Sequence, residues 1–335
     1  MTDIKIGDCF ELIKDLPDNS IDLIITSPPY ADIVNYGKNI SIQKPQDYCD
    51  WLLPIFNEIQ RVLKPSGSFI LNINDTCKAG LRNPFIYELI HRSQQETKLK
   101  FYDTYIWHKM NGIPNGGTKR FRNTTEFIFH FVKDQKHLKF YMDRVMKEPA
   151  KATSDRAKYD WSVKNHGEVI DGERVKDKTI DYGSMISNGV RPDNVVRFHT
   201  AGHARDNTIK HPAPFYKDLP AYYINLLTDD GDTILDIFGG IMTTGLACNE
   251  IGNRNFIGME LNEKYAEFGK KRISGEELDQ YRVVQYDLDG NYIADYKNRM
   301  EASKATGVQD GDIMRTYNRT KFDSRGGFIW KLEKR

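Results

Sequence analysis

One segment of the chain, residues 232–260, has the pattern of a complete strand–turn–helix–strand unit. An apolar run from Asp232 to Phe238 leads into Gly239-Gly240 and a helical pattern over residues 243–251, and a second apolar run ends at Glu260. Two consecutive parallel strands must be joined by a crossover, usually a helix that covers one face of their sheet. The segment therefore predicts an α/β fold with a parallel sheet.

The first 135 residues repeat this alternation. Apolar runs predict strands at 21–25, 68–73, 101–108 and 126–132, and helical spacing predicts helices at 47–63 and 84–94. Strands that alternate with helices are typical of a mostly parallel sheet with helices on both faces. We therefore expect a Rossmann-like sheet of this kind.

The rest of the chain of 335 residues divides into regions of different character. Residues 136–200 are polar and show little periodicity, and a helix is predicted at 219–228. The tail predicts a hairpin from Tyr281, helices at 298–305 and 309–317, and a closing strand at 327–332. We predict a large domain, 1–274, made of two halves (1–135 and 201–274) around an insertion (136–200), and a small α+β module, 275–335.

Composition argues against several classes of protein. No apolar run approaches the roughly 18 residues of a membrane span, and the first residues lack the apolar segment of a signal peptide. The cysteines Cys9, Cys49, Cys77 and Cys248 are far apart, which argues against a zinc site or a disulfide framework. We expect a cytoplasmic protein with neither a membrane partner nor a metal.

Basic residues are concentrated locally although the net charge is +1. Residues 98–122 contain six Lys or Arg against the single Asp103, and residues 291–335 contain ten against six acids. Proteins that grip DNA with selected surfaces show such a distribution. A solvated basic face is the alternative explanation for either cluster.

The turn from Asp236 to Thr244 has the features of a nucleoside-cofactor site. Its glycines permit close backbone approach, the following helix N-terminus favours an anion, and an acid such as Glu260, about 20 residues on, can bind ribose hydroxyls. The spacing is not Gly-x-Gly-x-x-Gly, so an amino-acid carboxylate, as in S-adenosylmethionine, is the natural anion. A purely structural turn is the alternative.

A second motif, Thr26-Ser27-Pro28-Pro29-Tyr30, follows the strand at 21–25. The prolines fix the backbone and remove N–H donors, so rigid carbonyls beside the Ser27 hydroxyl form an array of acceptors. An exocyclic base amine has two N–H donors that suit this array, and Tyr30 offers a ring for stacking. Taken alone, a strand-ending proline turn with a packed tyrosine is the alternative.

Together the two motifs resemble those of the DNA amino-methyltransferases. Their order resembles the β-class, circularly permuted arrangement, in which the catalytic half precedes the cofactor half. The resemblance covers roughly residues 4–274 and implies an S-adenosylmethionine-dependent methyltransferase. Further matching segments are Ile6-Gly7-Asp8, Leu63-Lys-Pro-Ser-Gly67, Ile106-Trp107-His-Lys109 and Asn123-Thr-Thr-Glu126.

The resemblance implies roles for the matching residues. Ser27, Pro28, Pro29 and Tyr30 would be catalytic, Glu260 would bind the ribose hydroxyls, and Asp8 the adenine amine of the cofactor. Lys119, Arg120 and Arg122 would approach the phosphates of double-stranded DNA, and the 136–200 insertion would recognise the target. The remaining cofactor-binding candidates are Phe215, Asp236, Phe238, Gly240, Thr243 and Thr244.

The target base is indicated by Ser27, because serine at this position is associated in the family with cytosine N4 and aspartate with adenine N6. We expect cytosine N4, with adenine N6 as the alternative. The cofactor loop departs from the family pattern: Ile237 replaces Pro, and Ile241 and Met242 replace Ser-Gly. This bulkier loop motivates a second alternative, a catalytically weak DNA-binding regulator or antirestriction protein.

The tail resembles the NUMOD-type repeat of homing endonucleases in three segments, Val283–Gly290, Glu301-Ala302 and Gly326–Trp330. That resemblance implies a helix-turn-helix DNA-binding module and a phage or mobile-element source. The methyltransferase resemblance makes a cognate restriction endonuclease, acting on the same DNA site, a candidate partner. The oligomeric state, monomer or homodimer, is left open.

Overall fold

The computed structural model describes residues 1–30, 47–78, 80–111, 119, 121–149, 151, 154–155, 163–164, 169–170, 173–174, 179–180, 189–200, 217–275, 281–297, 299–309, 312–313 and 327–334. The chain divides into two units, Met1–Ile273 and Ser274–Arg335.

Strands and helices alternate along most of the first unit. The helices are α1 (Cys9–Leu12), α2 (Tyr48–Val62), α3 (Phe85–Glu96), α4 (Asp218–Leu227), α5 (Thr243–Ile251), α6 (Glu263–Ser274) and α7 (Arg299–Thr306). The strands are β1 (Thr2–Ile6), β2 (Ile21–Thr26), β3 (Leu63–Ile73), β4 (Thr76–Lys78), β5 (Leu81–Asn83), β6 (Lys100–Lys109), β7 (Thr125–Val132), β8 (Val163–Lys164), β9 (Val169–Ile170), β10 (Glu173–Arg174), β11 (Thr179–Ile180), β12 (Val195–Phe198), β13 (Thr233–Asp236), β14 (Asn255–Glu260), β15 (Tyr281–Tyr286), β16 (Tyr292–Tyr296) and β17 (Ile329–Lys334).

The first unit is built on an eight-stranded sheet with the order β1-β14-β13-β2-β3-β7-β6-β12. Neighbouring strands are parallel except at β7, which runs antiparallel to both β3 and β6. The prediction of a mostly parallel α/β sheet is therefore confirmed. Parallel neighbours place their carboxyl ends at the same edge, which is where open α/β sheets bind ligands.

Helices cover both faces because the central strands are apolar on both. In β2, Ile24 packs with residues of α2 and α3, whereas Leu23 and Ile25 pack with residues of α4 and α5. All three isoleucine and leucine side chains are buried. A strand covered on both sides appears in the sequence as a continuous apolar run, which is what made β2 predictable.

The stretch 136–200 is not wholly an insertion, which corrects the sequence interpretation. Its end forms β12, which pairs in parallel with β6, and the Trp107 indole donates to the Phe198 carbonyl at 3.1 Å. Near its start, Lys139 forms an ion pair with Asp232 at 2.6 Å. A strand of four residues is too short to show periodicity, so the sequence did not reveal it.

The second unit contains a three-stranded antiparallel sheet in the order β16-β15-β17, with α7. Val283, Ala302 and Trp330 form its small apolar core. The predicted hairpin, first helix and closing strand are present. Of the second predicted helix, 309–317, residues 310–311 and 314–317 lie outside the described residues, and Asp312 and Ile313 are helical.

Among the helices that the structure describes, none combines the length and the apolar character that crossing a membrane requires.

Candidate active site

The predicted catalytic and cofactor motifs meet at the carboxyl edge of the sheet. Thr26, Asp236 and Glu260 end β2, β13 and β14, which are neighbours in the sheet. β2 and β13 continue directly into the two predicted motifs, and β14 ends on Glu260, a predicted cofactor ligand. The parallel arrangement therefore brings together residues that are far apart in the sequence.

Asp236 joins the two motifs through buried hydrogen bonds. Its carboxylate accepts from the Thr26 hydroxyl at 2.7 Å and from the Thr244 hydroxyl at 2.6 Å. It also accepts from the Phe238 backbone N–H at 3.2 Å. Burial raises the pKa of Asp236, and the hydrogen bonds oppose that shift. Asp236 thus holds the start of the predicted cofactor loop, residues 236–244, against the strand that precedes the predicted catalytic tetrapeptide, residues 27–30.

Glu260 organises the other side of the cofactor loop. Its carboxylate accepts from the backbone N–H groups of Gly240 and Asn262, each at 2.8 Å. Burial is the main cause that raises its pKa. The Gly7 N–H donates to the Glu260 carbonyl at 3.0 Å, which places the neighbouring Asp8 beside the same strand end. The Asp8 side chain caps α1 and accepts from the Phe10 N–H at 3.0 Å.

Met242, which departs from the family pattern, points into the protein. It is fully buried and has a left-handed backbone (φ 57°). A Cβ on Gly269 would lie 2.3 Å from the Met242 Cγ, and a Cβ on Gly258 or Gly239 would lie 2.5 or 2.7 Å from its Sδ. The methionine therefore fills a niche lined by three glycines, and its bulk is accommodated inside the fold.

The residues around this loop suit S-adenosylmethionine. The N-terminus of α5 favours a carboxylate, and the Glu260 carboxylate can accept from hydroxyls. Phe238 is half-buried and lies near Trp51, with ring centroids 6.0 Å apart. Thr243 and Thr244 are buried at the start of α5. Phe215 lies outside the described residues.

The predicted catalytic tetrapeptide, residues 27–30, is held on two sides. The Tyr48 hydroxyl, at the start of α2, donates to the Pro29 carbonyl at 3.0 Å. The Tyr30 hydroxyl donates to the Glu126 carboxylate at 2.6 Å, and Tyr30 packs against the apolar core. These contacts fix the tyrosine ring at the end of β2.

Three residues that the sequence interpretation did not assign complete this region. The Asn72 amide donates to Glu126 at 2.8 Å and lies 3.3 Å from the Ser27 hydroxyl. Lys109 forms an ion pair with Glu126. A polar Asn72 and a charged Glu126 within apolar runs were the available signals, since such residues are rarely buried without a partner.

The basic loop before β7 is exposed where it is described. Lys119 and Arg122 are both exposed, and Arg120 lies outside the described residues. Within the described parts of the chain, no cluster of His, Cys, Asp or Glu is arranged to hold a metal ion.

The fold and this site define an α/β DNA amino-methyltransferase that uses S-adenosylmethionine. Residues 21–271 match the model of the N6 and N4 methyltransferase family, DNA methylases, and the chain belongs to that family. The predicted protein class, cofactor and DNA substrate are confirmed. The match ends before the second unit, so the NUMOD resemblance stays a prediction.

Two relatives show the range of the family. The chain is 26% identical over 298 residues to the type II methyltransferase M.PvuII of Proteus hauseri, a match that covers 83% of this chain and 85% of the relative. It is 31% identical over 280 residues to the DNA adenine methyltransferase YhdJ of Escherichia coli K12, covering 81% and 84%.

Solved structures share the fold. PvuII DNA methyltransferase (cytosine-N4-specific) superposes with a TM-score of 0.60 at 22% identity, covering 81% of this chain and 86% of the other. The complex of M1.HpyAVI with S-adenosylmethionine superposes with a TM-score of 0.50 at 24% identity, covering 82% and 99%.

Proposed function

We propose that the protein transfers a methyl group from S-adenosylmethionine to the N4 amine of cytosine in double-stranded DNA. The observation that supports cytosine is Ser27, which follows β2 and whose hydroxyl, like that of Tyr30, lies 3.3 Å from the Asn72 amide nitrogen. Relatives include both an adenine enzyme and a protein whose solved structure is of a cytosine-N4-specific enzyme. The serine favours the cytosine branch.

The tetrapeptide binds and activates the base. A cytosine flipped out of the duplex stacks on Tyr30, and its amine donates to the Ser27 hydroxyl and the Pro28 carbonyl. The Pro29 carbonyl already accepts from Tyr48, which is consistent with the use of Pro28. The hydrogen bonds from the amine to Ser27 and Pro28 draw the amine nitrogen toward tetrahedral geometry and localise its lone pair.

S-adenosylmethionine supplies a methyl group activated by its sulfonium. When bound, it would be attacked at the methyl carbon by the amine nitrogen, S-adenosylhomocysteine would leave as the carbon–sulfur bond breaks, and the surplus amine proton would pass to solvent. The protein contributes mainly by holding the two reactants in line, and such positioning can supply about 7–11 kcal/mol of the barrier. The residues proposed to hold the cofactor are Asp8, Phe215, Phe238, Gly240, Thr243 and Glu260.

Asp236 and Thr244 act differently in this proposal. Both side chains are buried and hydrogen-bonded to each other, and the Asp236 carboxylate also accepts a hydrogen bond from Thr26. We assign them to the support of the cofactor loop. Lys119, Arg120 and Arg122 are assigned to phosphate contacts, which give affinity without sequence readout.

Labelled S-adenosylmethionine and mixed-sequence unmethylated DNA test the proposal. After digestion to nucleosides, we expect the label in N4-methylcytosine. Label in N6-methyladenine would overturn the assignment of the base. DNA binding without any label in nucleosides would support the alternative of a catalytically inactive DNA-binding regulator.

The variant Tyr30→Ala tests the role of the tyrosine ring in the same assay. It removes the stacking surface and leaves the cofactor loop intact. We expect turnover to fall strongly while S-adenosylmethionine binding, measured by calorimetry, stays unchanged. Near-normal turnover would show that Tyr30 does not form the wall for the base.

A further inference from the structure

Four neighbouring strands contribute side chains to one hydrogen-bonded group. Ser27 and Tyr30 follow β2, Asn72 lies near the end of β3, Glu126 near the start of β7, and Lys109 ends β6. These strands are adjacent in the order β2-β3-β7-β6. The antiparallel direction of β7 brings its start to the edge where the other three strands end.

Glu126 is the centre of this group. Its side chain is nearly buried, at 8% exposure. One carboxylate oxygen accepts from the Tyr30 hydroxyl at 2.6 Å and from the Asn72 amide at 2.8 Å, and the other pairs with the Lys109 ammonium. Bonds to an ionised carboxylate are stronger than those between neutral groups.

Asn72 extends the group to the catalytic serine. Its amide nitrogen lies 3.3 Å from both the Ser27 and the Tyr30 hydroxyl oxygens. Its buried carbonyl oxygen has no hydrogen-bond partner among the described residues. Leaving a buried acceptor unpaired is unfavourable. Because this oxygen has no partner that could orient it, the orientation of the amide is set by its N–H donors toward Glu126 and Ser27.

We propose that Glu126 is a positioning residue for methyl transfer, which fixes the Tyr30 ring through its hydroxyl and the Ser27 hydroxyl through Asn72. The inference rests on the proposed roles of Ser27 and Tyr30. The stacking surface and the acceptor for the amine are thereby held by one carboxylate. Lys109 keeps this buried carboxylate paired, since an unpaired buried charge is strongly unfavourable.

Single and double variants test the inference with genomic DNA as the substrate. In Glu126→Ala we expect kcat to fall about 100-fold, the loss expected for a displacement of roughly 1 Å at a reacting group. Binding of S-adenosylmethionine should be unchanged. Tyr30→Phe keeps the ring but cannot donate to Glu126. Because both changes break the same contact, the double variant should lose less activity than the product of the two single losses.

Asp75→Asn is the matched control. Asp75 is a similarly buried carboxylate just beyond β3, and it pairs with Arg82. Its loss should lower the thermal unfolding temperature but leave kcat within about twofold of wild type, as expected of a buried carboxylate that pairs with Arg82 and not with a residue of the Glu126 group. A kcat loss in Asp75→Asn as large as in Glu126→Ala would mean that the effect is merely structural.

A rescue experiment separates charge from shape. Lys109→Met leaves the buried Glu126 carboxylate without its cation, which should lower kcat because an unpaired buried charge is unfavourable. In Lys109→Met with Glu126→Gln no charge is buried, so kcat should recover part of that loss, because the glutamine carbonyl can still accept from the Tyr30 hydroxyl. If Glu126→Ala does not fold, Glu126→Gln replaces it in the cycle with Tyr30→Phe.

Normal kcat in Glu126→Ala, or fully multiplicative losses with Tyr30→Phe, would overturn the inference. Failure of the proposed function gives a different result, because wild-type protein would then place no label in cytosine before any variant is compared.

Discussion

The Thr26 hydroxyl donates to the Asp236 carboxylate at 2.7 Å and so joins two residues that are 210 positions apart in the chain. Thr26 precedes the predicted catalytic tetrapeptide, and Asp236 begins the predicted cofactor loop. Both side chains are buried between adjacent strands. The two motifs that define the site are therefore joined through the Thr26 hydroxyl, which donates to Asp236 and accepts from the Phe238 backbone N–H at 3.1 Å.

Replacing this hydroxyl tests the junction. Thr26→Val keeps the shape of the side chain but leaves an oxygen of Asp236 short of a donor, which costs about 1–3 kcal/mol of unfolding free energy. We also expect weaker S-adenosylmethionine binding. Thr233→Val, a half-buried position at the start of β13, is the control. Denaturant unfolding and calorimetry measure both effects, and equal losses in the two variants would contradict this role.

The Met242 niche predicts a non-additive pair of substitutions. Gly269→Ala should be strongly destabilising, because its Cβ would lie 2.3 Å from the Met242 Cγ. In a Met242→Gly background that contact is absent, so the same change should cost far less. Met242→Gly alone should cost about 1–3 kcal/mol, since the loss of a buried methionine outweighs the relief of a left-handed backbone.

The control for this cycle is Gly252→Ala. Gly252 also has a positive φ (77°), but a Cβ there meets no atom within 4 Å. The loss of unfolding free energy in Gly252→Ala should therefore add to the loss in Met242→Gly. Additive costs for Gly269→Ala would show that Met242 does not fill the niche.

The sequence predicted the sheet and the two motifs because their signals are local. β2 is a continuous apolar run, and Ser27–Tyr30 and Asp236–Thr244 are contiguous segments. It did not show where the bulk of Met242 is placed, which is inside the fold. The glycines that accommodate it, Gly258 and Gly269, lie on later elements, so this complementarity is visible when the fold is known.

The support of the tetrapeptide could not be predicted for the same reason. Asn72, Lys109 and Glu126 lie on three strands, and what relates them is the pairing order of those strands. Nothing in a single sequence states that β7 enters the sheet antiparallel between β3 and β6. The polar residues were visible, but their common partner was not.

The basic loop predicts a change in salt dependence. Removing Lys119 and Arg122 together should weaken DNA binding and lower the slope of log affinity against log salt by about 0.9 for each lost phosphate contact. Lys136→Ala is the control, because this exposed lysine follows the end of β7 at the opposite edge of the sheet. DNA titrations at several salt concentrations provide the slopes. A slope equal to that of Lys136→Ala would exclude the loop as a phosphate contact.

Removal of the second unit is expected to weaken the binding of DNA more than the binding of S-adenosylmethionine. A chain that ends at Gly275 keeps the whole eight-stranded sheet, whereas the apolar core of Val283, Ala302 and Trp330 belongs to the part removed. The deleted part contains the basic segment 291–335, which supports a role in binding DNA. We expect weaker DNA affinity with unchanged S-adenosylmethionine affinity. Equal DNA affinity in the two chains would remove that role.

His130 predicts how stability depends on pH. It is fully buried in β7, its Nε2 lies 2.9 Å from the Ser68 hydroxyl, and its Nδ1 lies 3.3 Å from the Tyr105 hydroxyl. Burial lowers its pKa from 6.5 to about 3. Below about pH 6.5 the unfolded chain takes up a proton that the folded chain does not, so stability falls by about 1.4 kcal/mol per pH unit as pH falls toward 3.

A glutamine at this position removes the titration. Unfolding free energies of His130→Gln should therefore fall less steeply than those of the wild type between pH 6.5 and pH 4, where carboxylates contribute equally to both proteins. His137→Gln is the control, because His137 is exposed and pairs with Asp134 in solvent. Its slope should match the wild type, since a surface pair contributes little. An unchanged slope in His130→Gln would mean that His130 is already protonated in the folded protein, or reached by water.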